Sequence, residues 1–352
     1  MVEVAWDERD GPAGVALVAR GVPPGWSASA RVVPSDVLRG GMPPAGRAGM
    51  AGRWADDGDG ARFVPRFAFL PGRSYTVLDG EDRPVATLTA APAPGRPTAR
   101  VVGIEPALSV VPRNLLRFHV RFSAPMAEGA ATRHLRLEDA TSGLVLRDAL
   151  FALDPELWDE ARCELTVLLD PARIKRGLAP HREAGYPLRE GGSVRLVVEA
   201  GYPDAAGHPL VEGAEAVYAV GPDLRGRVDP GAWTVGAVVP GRRDSLVVAF
   251  GRPLDRRLVA RSLRVVHEGS GVVAGAVDVA ADGTRWRFTP AAPWAPWAPG
   301  GLALVVDPGL EDVAGNAVAR AFDRDLADPT DTALPAGRAP VLPVPSVKTG
   351  PE

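Results

Sequence analysis

Cysteine is almost absent from this chain of 352 residues. Cys163 stands alone, which excludes an internal disulfide and any metal site built from several cysteines. It falls within an apolar alternating run, Arg162 to Leu169, where it reads as a strand residue rather than a nucleophile. Lysine is nearly missing as well. Of 40 basic residues only Lys175 and Lys348 are lysine, a bias that fits a GC-rich genome rather than a functional choice. There is no basic excess either: the formal net charge is −3, which argues against a nucleic-acid platform. No run of about 18 uncharged apolar residues occurs, so no membrane-crossing helix is expected. The first ten residues carry acids where a secretory leader needs basic residues and then an apolar stretch. The five histidines, His119, His134, His181, His208 and His267, show no zinc-hydrolase spacing, no serine occupies a Gly-x-Ser-x-Gly turn, and no Gly-rich phosphate loop opens a helix. The chain is therefore not expected to be an enzyme, and no catalytic residue, metal ligand or cofactor is assigned.

What the sequence has is short apolar alternation cut by turns. Apolar residues make up 46%, enough for real cores, while Gly 40 and Pro 36 punctuate them at short intervals. At this length two or three domains are expected. A cassette appears twice. Leu116 to Met126 opens one copy, in which Leu116, Phe118, Val120 and Phe122 alternate with Arg117, His119 and Arg121, and Asp204 to Leu210 stands near its end. Leu246 to Asp255 opens the other, with Asp312 to Asn316 near its end. A further correspondence, strand–Pro turn–Gly turn–strand, joins Arg62 to Val77 with Arg287 to Val305. These patterns predict an all-β chain of tandem Ig-like β-sandwich domains: 1–97, 98–222 with a long insertion at 170–191, 223–327 closing on a strand over Ala317–Phe322, and a disordered Pro-rich tail at 328–352. Helix is expected only over Asp154–Asp159, Pro171–Gly177 and Leu254–Ser262. His119, His134 and His267 are placed on solvated or half-buried faces.

Phe122-Ser-Ala-Pro-Met126 and Asp312-Val-Ala-Gly-Asn316 resemble the signature of the SbsA-type bacterial Ig-like domain, which pairs Phe-Ser-x-Pro-Met with an Asp-x-x-Gly-Asn turn. The second unit departs from it at His208, and the third at Gly251-Arg-Pro-Leu254. The longer string Pro112 to Met126, together with Leu169 to Leu178, is similar to uncharacterised bacterial proteins with two such domains. The resemblance covers about residues 100–325. It implies a surface or modular role, outside the cytoplasm, and brings no catalytic residues. Location stays divided, because the sequence shows no leader. Asp312–Asn316 reads as a turn rather than a calcium site, since calcium needs six to eight oxygens. Trp54 to Gly60, with Asp56, Asp57 and Asp59, reads as a hairpin.

Two places are candidates for binding. The insertion 170–191 gathers Arg173, Lys175, Arg176, His181, Arg182 and Tyr186 around Ile174 and Leu178, either as a site for an acidic glycan, phosphate or protein or as a lid burying Ile174 and Leu178. Trp294 and Trp297 lie in a Pro-rich loop where they would stack on a sugar or a protein, while Trp286 points into the core. The expected function is a non-enzymatic spacer or protein-interaction module of bacterial envelope type, monomeric, with an unidentified protein or glycan partner. The alternatives are a carbohydrate- or ligand-binding accessory protein using the 170–191 loop and a hydrolase without recognisable motif.

Overall fold

A computed structural model describes residues 2–7, 15–38, 49–92, 95–298, 301–324, 333 and 339–347. Residues 39–48 and 93–94 lie outside them. The chain is all-β, in three two-sheet sandwiches. The first contains β1 (Glu3–Asp7), β2 (Ala16–Arg20), β3 (Arg31–Pro34), β4 (Gly52–Asp57), β5 (Gly60–Pro65), β6 (Ser74–Leu78) and β7 (Pro84–Thr89). Its sheets run β1-β2-β5-β4 and β3-β6-β7. Asp57 pairs with Gly60 across a two-residue turn with Gly58 at φ +64°, so the acidic stretch is a hairpin.

The second sandwich holds β8 (Val101–Glu105), β9 (Val110–Pro112), β10 (Arg117–Phe122), β11 (Leu135–Asp139), β12 (Leu157–Trp158), β13 (Glu164–Leu168), β14 (Ser193–Val198) and β15 (Ala214–Gly221). Its sheets are ordered β12-β13-β10-β8 and β11-β14-β15-β9. Alternation decides which face is inside: Phe118, Val120 and Phe122 of β10 enter the core, while Arg117, His119 and Arg121 stand on the opposite face. Burying Phe118 completely is worth about 2–3 kcal/mol.

The third sandwich comprises β16 (Thr234–Val235), β17 (Leu246–Ala249), β18 (Leu263–His267), β19 (Gly271–Val272), β20 (Gly275–Val279), β21 (Arg285–Pro290), β22 (Leu302–Val306) and β23 (Val341–Pro343), in sheets β16-β17-β21-β20 and β19-β18-β22-β23. Its last strand is a correction to the sequence reading. Ala317–Phe322 is not a strand; Val341–Pro343 of the Pro-rich tail pairs with β22 instead, and Val344 is buried in the core. The proline spacing there suits an edge strand, which pairs on one side only. The rest of the expected disordered tail, residue 333 apart, lies outside the described residues.

Helix is confined to short turns: α1 (Ala131–His134), α2 (Pro171–Ile174), α3 (Ala179–Ala184) and α4 (Arg256–Ser262). α4 falls within the expected Leu254–Ser262 and begins at Arg256 because Asp255 caps it, its carboxylate accepting the N–H of Arg257 and of Leu258. Asp154–Asp159 is not helical; Leu157 and Trp158 pair with β13 as an edge strand.

Candidate functional site

An Asp-led turn precedes the last strand of every sandwich. In the third, Asp312 accepts the N–H of Ala314 and of Asn316, and its own N–H donates to the Asn316 carbonyl. In the second, Asp204 does the same with Ala206 and His208. In the first, Asp79 does it with Glu81 and Arg83. Asp79-Gly-Glu-Asp-Arg83 is thus a third copy that no motif reveals, because Asp82 replaces the glycine at φ +62°. In the two copies visible in the sequence the turn pairs with the Phe-Ser-x-Pro-Met segment or its equivalent, Met126 with Asp204 and Leu254 with Asp312. Asp312 meets N–H donors and the Arg252 guanidinium, 3.4 Å away, rather than a cluster of oxygens.

Both visible turns also touch the preceding sandwich. The Val313 carbonyl accepts the N–H of Leu116, and a Cβ on Gly315 would overlap the Leu116 side chain. Gly207 lies against Pro71 and Gly72, where a Cβ would be 2.6 Å from the Gly72 nitrogen. The last residue of each turn reaches the linker: Asn316 donates to the Leu224 carbonyl at 3.0 Å, and His208 packs on Gly95. Glycine is needed at these two positions for the positive φ and for the close approach together.

The joint between the second and third sandwiches is closed by ionic side chains. His119 is buried, not solvated. Its Nε2 is 3.3 Å from the Asp255 carboxylate and its Nδ1 3.1 Å from the Thr166 hydroxyl. Arg117 bonds Glu311 and lies 3.7 Å from Asp255, Arg256 donates to Glu105 at 2.7 Å, and Arg257 pairs with Glu164. His119, Arg117, Thr166 and Glu164 sit on the outward face of β10 and β13, Asp255, Arg256 and Arg257 at the start of α4, Glu105 at the end of β8 and Glu311 beside the Asp312 turn. Burial raises the Glu164 pKa and opposes ionisation of Asp255, yet the hydrogen bond and charge of His119 together with Arg117 hold Asp255 below the ordinary carboxylate range. About 20 Å³ of free space remains in the cleft.

The joint between the first and second sandwiches has the same backbone geometry and different side chains. Ala127 donates its N–H to the Pro203 carbonyl just as Asp255 donates to that of Glu311, and Met126 bonds Arg162 as Leu254 bonds Gly283. Ala127 and Pro203 thus replace Asp255 and Glu311. Arg73 pairs with Asp36 across the first sandwich's edge, and Gly129 of the second lies against Asp36, where a Cβ would be 2.8 Å from its carboxylate.

The insertion 170–191 turns most of its polar groups inward. Arg173 donates to the carbonyls of Gly185 (3.1 Å) and Tyr186 (2.9 Å), and His181 Nδ1 bonds the Arg173 carbonyl. Tyr186 lies under the Arg113 guanidinium, 4.7 Å from the ring centre, and donates to Asp223. Arg176 donates to Asp323 at 2.8 Å, and Lys175 stands 4.7 Å over the Phe322 ring. Ile174 is buried beneath, whereas Leu178 is exposed, against the expectation that both are covered. Arg182 is exposed. The insertion so bridges the second sandwich to 223–225 and 322–323. The tryptophan loop belongs to the third sandwich: Trp294 is only 3% exposed and donates to the Asp244 carbonyl, so its ring faces the core and not a sugar, while Trp297 is half-buried. Trp286 is in the core, as expected. Sequence reasoning missed Asp255, Glu311, Glu105 and Glu164; the only available signal was the charged outer face of an otherwise apolar strand.

No protein-family model and no curated protein matches the sequence. Among solved structures, the N-terminal part of the bacterial S-layer protein SbsC is similar over 70% of this chain and 44% of that one, at 12% identity and a TM-score of 0.26. This chain spans less than half of that fragment. Native alpha-2-macroglobulin from Escherichia coli, over domains MG0-NIE-MG1, is similar over 72% of each chain at 11% identity and a TM-score of 0.24. The full extracellular region of plexin A4 is similar over 85% of this chain and 26% of that one, at 10% identity and 0.23. Likenesses of this degree concern the fold alone. No helix among the described residues is long and apolar enough to cross a membrane.

Proposed function

We propose that the chain is a non-enzymatic modular protein, built as a tandem repeat of SbsA-type sandwiches, that acts as a structural spacer and presents its loops for protein contact at a bacterial envelope. The units are 1–97, 98–222 and 223–347. One observation carries the reading: the cleft between the second and third sandwiches is filled by complementary charges, Arg117, His119, Arg256 and Arg257 against Asp255, Glu311, Glu105 and Glu164. Truncating one partner of such a buried set costs roughly 3–5 kcal/mol, enough to favour a single relative orientation. The insertion supports it as a strut, since Arg173, Arg176, Lys175 and Tyr186 spend their polar contacts within the chain. Envelope location rests on the family resemblance of the Phe122–Met126 and Asp312–Asn316 segments.

Spin-label distances between exposed positions on the second and third sandwiches test the reading. A single narrow distribution is expected in the wild type and a broad one in Asp255→Ala. Equally broad distributions in both proteins would sink the spacer and return attention to a flexible ligand-binding chain.

A further inference from the structure

The cleft at the first joint is lined by Arg73 from the first sandwich and by Arg133 and Arg162 from the second, with Asp36 and Glu128 at its sides. It holds about 100 Å³ of free space, against about 20 Å³ in the equivalent cleft of the second joint. The difference has a chemical cause. At the second joint Arg117 meets the carboxylates of Asp255 and Glu311. Their backbone equivalents at the first joint, Ala127 and Pro203, carry no charge. Arg73 has Asp36, but Arg133 and Arg162 form no ion pair among the described residues. Two polar atoms in the lining are buried without a hydrogen-bond partner, Arg73 Nε, a donor, and Asp36 Oδ1, an acceptor. Leaving such atoms unpaired is costly, and buried groups of this kind are normally satisfied.

The geometry points to a binding site for a small oxyanion in this cleft, a carboxylate or phosphate whose hydroxyl-bearing form, an acidic sugar, would also serve Asp36. The arginines supply planar, multidentate donors suited to such a group. Bound there, the anion stands where Asp255 and Glu311 stand in the other joint, so it closes the first joint onto the second sandwich. The site is independent of the spacer reading, which rests on the second joint.

Titration calorimetry of the full chain with inorganic phosphate, glucuronate and glucose tests it. Saturable binding of phosphate or glucuronate and none of glucose is expected, and which anion binds more tightly identifies the source. Two variants locate the site. Arg133→Gln with Arg162→Asn (asparagine tolerates the φ of +55° at 162) is expected to weaken binding at least ten-fold. Ala127→Asp, which supplies the missing carboxylate, is expected to do the same while narrowing spin-label distances between the first and second sandwiches without ligand. Circular dichroism establishes that both variants fold. Binding of neither anion at millimolar concentration, equal binding of glucose and glucuronate, or undiminished binding in both folded variants would overturn the proposal.

Discussion

At the second joint Asp255 and Glu311 stand where the first joint has Ala127 and Pro203, and this pair of differences separates a joint stitched by charge from one held by close backbone contact. Both start from the same Asp-x-x-Gly turn docked on the preceding sandwich. The turn gives the approach, since Gly207 and Gly315 admit a neighbour where any Cβ would collide. Side chains on the outer face of the neighbouring strands then decide how firmly the joint closes. In the first sandwich's own turn Asp82 takes the left-handed position that glycine holds in the other two. The turn itself needs a residue tolerant of positive φ; the docking is what demands glycine.

The largest effect is expected from Asp255→Ala. It removes a carboxylate partner of both Arg117 and His119 and the cap of α4, so denaturant unfolding should show a loss of about 3–5 kcal/mol in the transition that reports the second and third sandwiches. Ala127→Ser, at the equivalent place in the first joint, should leave stability within about 0.5 kcal/mol. Next come the turn glycines. Gly207→Ala and Gly315→Ala each combine a positive φ with a steric overlap and should cost about 1–3 kcal/mol, whereas Asp82→Gly in the first sandwich's turn, where Asp82 pairs with Arg31, should change stability by less than about 1 kcal/mol. Comparable losses at all three positions would show that the turn, and not the docking, requires glycine. Arg173→Ala should speed amide exchange over residues 171–186 by an amount corresponding to about 1–2 kcal/mol, because the carbonyls of Gly185 and Tyr186 lose their donor.

The smallest effect separates the turns by titration. Hydrogen bonding by the Arg83 backbone holds the half-buried Asp79 below its ordinary value, whereas burial pushes Asp312 up to about 6 from 3.8. A folded pKa above the unfolded one means that the folded state takes up a proton as pH falls. The contribution of Asp312 is therefore fully present below about pH 3.8 and is lost as pH rises through 6. Asp255, held low, acts oppositely: its contribution is present above 3.8 and lost on further acidification. Carboxyl chemical shifts followed from pH 3 to 7 should show Asp312 titrating near 6 and Asp79 well below it. Coincident midpoints would mean that burial does not separate the two turns.

Several of these elements were legible in the chain itself. Alternation in Leu116–Phe122 and Leu246–Phe250 placed two central strands and their inner faces, because a period of two in a half-buried sheet leaves a mark at every residue. The strand–Pro turn–Gly turn–strand correspondence located the crossing between sheets in the first and third sandwiches. Sequence failed where a role depends on a distant partner. His119 looked solvated because its alternation marks it as facing away from its own core, and nothing local shows that Asp255, 136 residues later, covers it. Arg176 looked available for the same reason, since its carboxylate partner Asp323 comes from another loop, and Arg173 because the carbonyls of Gly185 and Tyr186 reach it only when the insertion folds back on itself. Val341–Pro343 was hidden by its prolines, which argue against a central strand but not against an edge.

The sequence by itself therefore determined the class of the protein: an all-β chain of short alternating strands, without disulfides or recognisable catalytic motifs, its units marked by repeated turns. These are local properties, written in the spacing of apolar residues and in the backbone needs of glycine and aspartate. Only the tertiary structure decided how the sandwiches meet, which polar faces are buried between them, and which strand closes the third. Those depend on residues far apart in sequence, such as His119 and Asp255, 136 positions apart, or the paired residues Ala303 and Pro343, where charge pairs and steric fit select an arrangement that no local pattern encodes.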